Sequence, residues 1–145
     1  MVTAEDWRLW RELRRGALRE APGAFGGQAH LQGWVETGEE LHAPAVLPYE
    51  VANVLARLVF DGDLGADGIA DTWSDLAALD VVLHPFDLTQ DGSAVGAITT
   101  QLRRRHATDS TYIHLAQQLD TAVRTLDGPL ARNAADVGLP VKLIT

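Results

Sequence analysis

Short apolar segments alternate with helix-length segments along most of this chain, and that alternation limits its fold more than any other feature. Strands that alternate with helices favour a parallel sheet with both faces covered by helices. The sequence therefore predicts an α/β domain. The predicted strands are residues 41–43, 81–84, 122–125 and 141–144.

The segments between these strands carry apolar residues at three- and four-residue spacing, the pattern of amphipathic helices. Pro48 suits the first turn of one helix, since proline there removes no helical hydrogen bond. A further amphipathic helix is predicted to begin near Thr3 and to end before Pro22 and Gly23. The other predicted helices are residues 28–36, 66–79, 93–105, a segment from residue 109 onward, and residues 130–135.

Composition excludes several classes of protein. The chain has 145 residues, enough for one domain with a core of ordinary size. It contains no cysteine, which rules out disulfides and thiolate metal sites. The net charge of −8 argues against a general nucleic-acid coating protein. We find neither a signal-peptide pattern nor an apolar stretch near the ~20 residues of a membrane span, so we expect a cytoplasmic protein without a membrane partner.

Three acidic residues lie where α/β proteins build sites for hard cations. Asp109 opens a predicted helix, Asp127 follows a predicted strand, and Glu50 lies in the first turn of a helix. Carboxylate oxygens suit Mg²⁺ and Mn²⁺, and the carboxyl edge of a parallel sheet is where ligands bind. Each residue also has a structural alternative: Asp109 as a helix N-cap, Asp127 as a turn residue before Gly128, and Glu50 as an exposed helix acid.

The sequence around these acids resembles the PIN-domain ribonucleases, and most closely the toxins of VapBC-type toxin–antitoxin pairs. The resemblance covers residues 28–145, which we treat as one PIN-like domain. Its main segments are Gly38-Glu39-Glu40-Leu41-His42-Ala43-Pro44, Glu50-Val51-Ala52-Asn53-Val54-Leu55, Thr108-Asp109 with Tyr112, and Thr125-Leu126-Asp127-Gly128-Pro129-Leu130-Ala131.

The resemblance implies an endoribonuclease. In such toxins an acidic cluster holds Mg²⁺ or Mn²⁺, and metal-activated water cleaves RNA, often a tRNA or a ribosomal RNA loop. Glu50, Asp109 and Asp127 would be the metal ligands and catalytic residues, with Thr125 hydrogen-bonded to a ligating carboxylate or water. A cognate antitoxin, whose C-terminal tail blocks the site, and an RNA substrate are the implied partners. A homodimer is left open.

The first 27 residues depart from this pattern. The family begins with a strand that ends in an aspartate and lies in the middle of the sheet, whereas residues 1–27 resemble the helical start of a GNAT acetyltransferase. We interpret residues 1–27 as a separate helical segment, from a gene fusion or a misassembled reading frame. The PIN-like sheet would then lack its central strand, or have it replaced by a helix.

Two other functions remain open at this stage. A PIN remnant with an incomplete acidic site would bind an antitoxin without cleaving RNA. An acetyltransferase fragment would bind acetyl-coenzyme A, but the chain lacks the glycine-rich turn that would hold the pyrophosphate. Among the five histidines, at positions 30, 42, 84, 106 and 114, no pair has the spacing of a metal site, and we expect packing or surface roles for at least four.

Overall fold

The computed structural model describes residues 36–125 and 127–144, and this part of the chain is a mixed α/β fold. It contains five helices and four short strands, all paired in parallel. The α/β class predicted from the alternating segments is confirmed. The predicted helix near Thr3, nearly all of that at residues 28–36, and the acetyltransferase-like segment lie outside the described residues.

The helices and strands follow one another in the predicted order. The strands are β1 His42–Pro44, β2 Val82–His84, β3 Val123–Thr125 and β4 Val141–Leu143. The helices are α1 Leu47–Phe60, α2 Asp67–Ala78, α3 Asp91–Gln101, α4 Thr108–Gln118 and α5 Gly128–Asp136.

The described strands form two pairs rather than one continuous sheet. In the first pair β1 runs parallel to β2, with Ala43 opposite Leu83. In the second pair β3 runs parallel to β4, with Arg124 opposite Lys142. Helix α4 packs against β1 of one pair and β3 of the other, so it connects the two pairs.

Helix α4 also lies in the centre of the core. Its Ile113 and Ala116 are fully buried, and Tyr112 is only 3% exposed. Full burial of a side chain such as Ile113 contributes about 1.5–3 kcal/mol. The buried core around it comprises Ala43, Leu47, Val51, Leu55, Leu64, Ile98, Leu102, Val123, Leu130, Ala134 and Leu139.

Helix α1 begins where the sequence predicts and presents one apolar face to this core. Pro48 lies in its first turn, where a missing N–H is harmless. Leu47, Val51 and Leu55 recur every four residues, and each is buried. The opposite face carries exposed residues, including Phe60, which is 91% exposed.

The limits of α3 differ from the prediction. The helix begins at Asp91 rather than at residue 93, because Asp87 forms a turn in which its Oδ1 accepts hydrogen bonds from Thr89 N and Gln90 N, both at 2.8 Å. It ends at Gln101 rather than at residue 105, where Arg103 takes the left-handed backbone conformation with φ 51°.

Polar side chains fasten α3 to α4. The hydroxyls of Thr99 and Ser110 share a 2.8 Å hydrogen bond, and Ser110 is completely buried. At the other end of α3, Asp91 Oδ1 lies 2.8 Å from His114 Nε2 and accepts a hydrogen bond from Gln118 Nε2 at 3.1 Å. These contacts fix the direction of α4, and therefore the positions of the acidic residue in its first turn and of Tyr112.

Candidate metal centre

The three acids singled out in the sequence all lie at helix starts. Glu50 is in the first turn of α1, Asp109 is in the first turn of α4, and Asp127 is the residue immediately before α5. A negative charge at a helix N-terminus is favourable because the helix dipole is positive there. The fold therefore supports three carboxylates at positions that suit anionic metal ligands.

Glu50 is tied to α4 by a short hydrogen bond. The hydroxyl of Tyr112 donates to Glu50 Oε1 at 2.6 Å, across a separation of 62 residues in the chain. Bonds of this length are typical of a hydroxyl that donates to an ionised carboxylate. Tyr112 lies one helical turn after Asp109, on the same side of α4, so this bond brings the first turn of α1 to the face of α4 that carries Asp109.

Asp109 and Asp127 are close enough to interact electrostatically. Burial raises the pKa of Asp109 above its ordinary value; the positive charge of Arg104 lowers that pKa, and the negative charge of Asp127 raises it. Two carboxylates that repel each other in a partly buried place are stabilised when a cation binds between them. Burial is the largest of the three effects on the pKa of Asp109, and the charge of Asp127 is the smallest.

Asp127 has a structural role as well. Its Oδ1 accepts a 2.8 Å hydrogen bond from Leu130 N and thereby caps α5. Its own N–H donates to Thr125 Oγ1 at 3.0 Å. Thr125 is buried, at 1% exposure, and its hydroxyl oxygen accepts this bond from the backbone of Asp127. Its predicted hydrogen bond to a ligating carboxylate or water stays a prediction. The cap employs one carboxylate oxygen and leaves the other to accept a further partner.

The alternative reading of Asp109 as a helix cap was wrong. Helix α4 starts at Thr108, its N-cap residue is Ala107, and no side chain caps it. Asp109 is instead the second residue of the helix and is half-buried. Its carboxylate is thus not engaged in capping α4, in contrast to the carboxylate of Asp127.

Arg104 supplies a buried positive charge near these acids. Its Nε and Nη2 atoms are buried and lack a hydrogen-bond partner within residues 36–125 and 127–144. Buried N–H groups without a partner are uncommon and destabilising. Sequence analysis missed this residue, since nothing in the run Arg103-Arg104-Arg105 separates its middle member from two exposed neighbours.

The ligand set is made of oxygen donors, which fits Mg²⁺ or Mn²⁺. Mg²⁺ commonly retains several waters and takes only one or two carboxylates from the protein. Within the described part of the chain, no three His, Asp or Glu side chains form a group that could hold a metal ion, so the structure does not bring Glu50, Asp109 and Asp127 together as one ligand set. The structure relates these acids in two ways: the charge of Asp127 acts on Asp109, and Glu50 is connected to α4 through Tyr112.

Two clefts formed by described residues have none of the three acids in their lining. The larger one has a volume of about 270 Å³ between α1, α2 and β2, with Trp73 and Leu76 among its mostly apolar lining residues. A smaller one of about 30 Å³ lies beside His84, Asp91 and His114.

Among the residues that the structure describes, no helix combines the length and apolarity needed to cross a membrane.

Comparison with known proteins adds no assignment: no protein-family model matches the chain, and no curated protein has a significantly similar sequence.

Proposed function

We propose that the chain is a metal-dependent endoribonuclease of the PIN-domain toxin type, and that Glu50, Asp109 and Asp127 hold its Mg²⁺ or Mn²⁺. The observation that carries this proposal is that Glu50, Asp109 and Asp127 all lie at helix starts, with the Tyr112–Glu50 hydrogen bond connecting the helix of Glu50 to that of Asp109. When bound, such a cation neutralises phosphate oxygens and lowers the pKa of a coordinated water.

The residues of the chain have separable tasks in this proposal. Asp109 and Asp127 attract the cation through their negative charges, and the charge of Asp127 raises the pKa of Asp109. Tyr112 positions Glu50 by its 2.6 Å hydrogen bond. The Arg104 charge, which lowers the pKa of Asp109, favours the ionised form that binds a cation.

The arrangement of strands also supports the proposal. In PIN domains a central strand lies between the two strand pairs. Here β1 and β3, one from each pair, pack against the same helix α4. This shared packing on α4 supports the proposal, because the first strand of a PIN sheet lies between two such pairs. A cognate antitoxin would be the protein partner.

The test is RNA cleavage by the full-length chain. Wild type, Asp109→Asn and the matched control Asp71→Asn are incubated with a mixture of tRNA and ribosomal RNA in the presence of Mn²⁺, and the new RNA ends are mapped by sequencing. Asp71 is an exposed acid within α2, so its replacement makes the same chemical change away from the site.

We expect wild type and Asp71→Asn to cut at the same discrete positions, whereas Asp109→Asn or added EDTA abolishes those cuts. Equal cleavage by wild type and Asp109→Asn would contradict the assigned site. If wild type cleaves no RNA but binds a co-purified antitoxin, the protein would be an antitoxin-binding protein and not an enzyme.

A further inference from the structure

Two histidines that are far apart in sequence meet across the first strand pair. His42 on β1 and His84 on β2 place Nδ1 and Nε2 3.0 Å apart, with the ring centroids separated by 5.2 Å. The parallel register sets Pro44 opposite His84, so His42 and His84 are two residues out of register and lie on one face of the pair. Neighbouring strands hold the two imidazoles together.

A carboxylate lies next to the first imidazole. Glu40 Oε1 is 3.3 Å from His42 Nε2. A carboxylate in this position favours the His42 tautomer that carries its proton on Nε2, and in that tautomer the lone pair is on Nδ1, the atom nearest His84. Histidines that bind metals commonly donate their second ring N–H to a carboxylate in this way, which fixes the tautomer and strengthens the ligand.

The nitrogen separation selects the class of metal. With metal–nitrogen bonds of about 2.1 Å, two ligands at adjacent positions of a square or octahedral ion lie about 3.0 Å apart, whereas tetrahedral ligands lie about 3.4 Å apart. The observed 3.0 Å between His42 Nδ1 and His84 Nε2 matches the first value. Ni²⁺ and Cu²⁺ adopt these geometries and bind imidazole well, and Mg²⁺ prefers oxygen.

We infer that His42 and His84 form a two-imidazole chelate for Ni²⁺ or Cu²⁺, with His42 Nδ1 and His84 Nε2 as the ligands and Glu40 as the group that orients His42. This site is separate from the carboxylates of the proposed function and does not depend on them. On binding, the His84 ring proton moves from Nε2 to Nδ1 through solvent, so no proton is released overall. Water completes the coordination.

The experiment is a calorimetric titration of the untagged, full-length chain with Ni²⁺ at pH 7.5. We expect wild type to bind Ni²⁺, and His42→Asn or His84→Asn to weaken binding by at least the roughly 10- to 100-fold that loss of an outer-shell partner produces. His106→Asn is the matched control, because it replaces an exposed imidazole and leaves the strand pair intact.

Three further arms make the result decisive. Asp71→Asn should bind Ni²⁺ as wild type does, because it removes an exposed carboxylate of α2 that belongs to neither site. Glu40→Gln should bind severalfold more weakly, because a neutral amide orients His42 less strongly. In wild type, sub-stoichiometric Ni²⁺ should broaden the ring NMR signals of His42 and His84 before that of His106, a readout that needs no variant to fold.

Wild type that shows no Ni²⁺ binding at millimolar concentration would overturn the inference and leave a plain hydrogen bond between two imidazoles. Binding that survives both histidine substitutions, or broadening of the His106 signal first, would overturn it equally.

Discussion

Substitution of Tyr112 by phenylalanine tests the contact on which the candidate metal centre depends. The change removes one hydroxyl and leaves the ring in the core, where Tyr112 is 3% exposed. The lost bond is the 2.6 Å hydrogen bond to Glu50. Hydrogen bonds to charged groups contribute about 1.5–3 kcal/mol, so we expect Tyr112→Phe to lower the free energy of unfolding by that amount.

The expected shift in melting temperature follows from the length of the chain. A protein of 145 residues unfolds with an entropy near 0.3 kcal/mol/K, so the loss corresponds to a fall of about 5–10 °C. The assay is thermal unfolding followed by far-ultraviolet circular dichroism, with urea unfolding as a second measurement. Tyr49→Phe is the matched control, because Tyr49 precedes Glu50 and is 72% exposed.

Tyr49→Phe should change the melting temperature by no more than about 2 °C, as surface substitutions usually do. If Tyr112→Phe is equally silent, the hydroxyl does not hold Glu50 to α4, and the positioning role assigned to Tyr112 is refuted.

Substitutions at four more residues probe the site and the core by thermal unfolding. The pKa of Asp109 is raised, so in EDTA its ionisation destabilises the folded wild type as the pH rises through that pKa. Asp109→Asn should remove this loss of stability and melt at a higher temperature than wild type at pH 7.5. A lower melting temperature of Asp109→Asn would contradict the effect of burial. Asp127→Ala should cost about 0.5–2 kcal/mol through loss of the α5 cap, whereas Asp127→Asn, which retains a capping oxygen, should cost less. The pKa of Asp91 is lowered, chiefly by the hydrogen bond from Asp87 N and then by His114. Asp91→Asn should therefore destabilise the folded protein at pH 7. Its melting temperature should approach that of wild type as the pH falls through the lowered pKa. Ile113→Ala should cost about 2–5 kcal/mol, and a smaller loss would mean that the core around α4 closes over the cavity.

Local sequence signals were sufficient for the helices and strands. The four-residue repeat of Leu47, Val51 and Leu55 identified α1, and the apolar runs identified all four strands to within a residue or two. The limits of α3 were missed because they depend on a side-chain turn at Asp87 and on the left-handed backbone of Arg103. Neither is visible in a periodic pattern.

Local sequence patterns do not predict which distant segments of the chain contact each other. The partner of Glu50 is Tyr112, and no spacing rule connects two residues on different helices. The sequence analysis compared the histidines by their spacing along the chain, and by that criterion no pair has the spacing of a metal site. His42 and His84 meet because β1 and β2 lie side by side in a defined register, which the sequence did not specify.

The carboxylate centre is tested most directly by the effect of Mn²⁺ on thermal unfolding of wild type, Asp109→Asn and the Asp71→Asn control. A cation that binds only the folded state at a hundred times its dissociation constant adds about 2.7 kcal/mol, or about 9 °C for a chain of this length. We predict that rise for wild type and Asp71→Asn, and a much smaller one for Asp109→Asn. The same Mn²⁺-dependent rise in all three proteins, or none in wild type, would contradict a cation site at Glu50, Asp109 and Asp127.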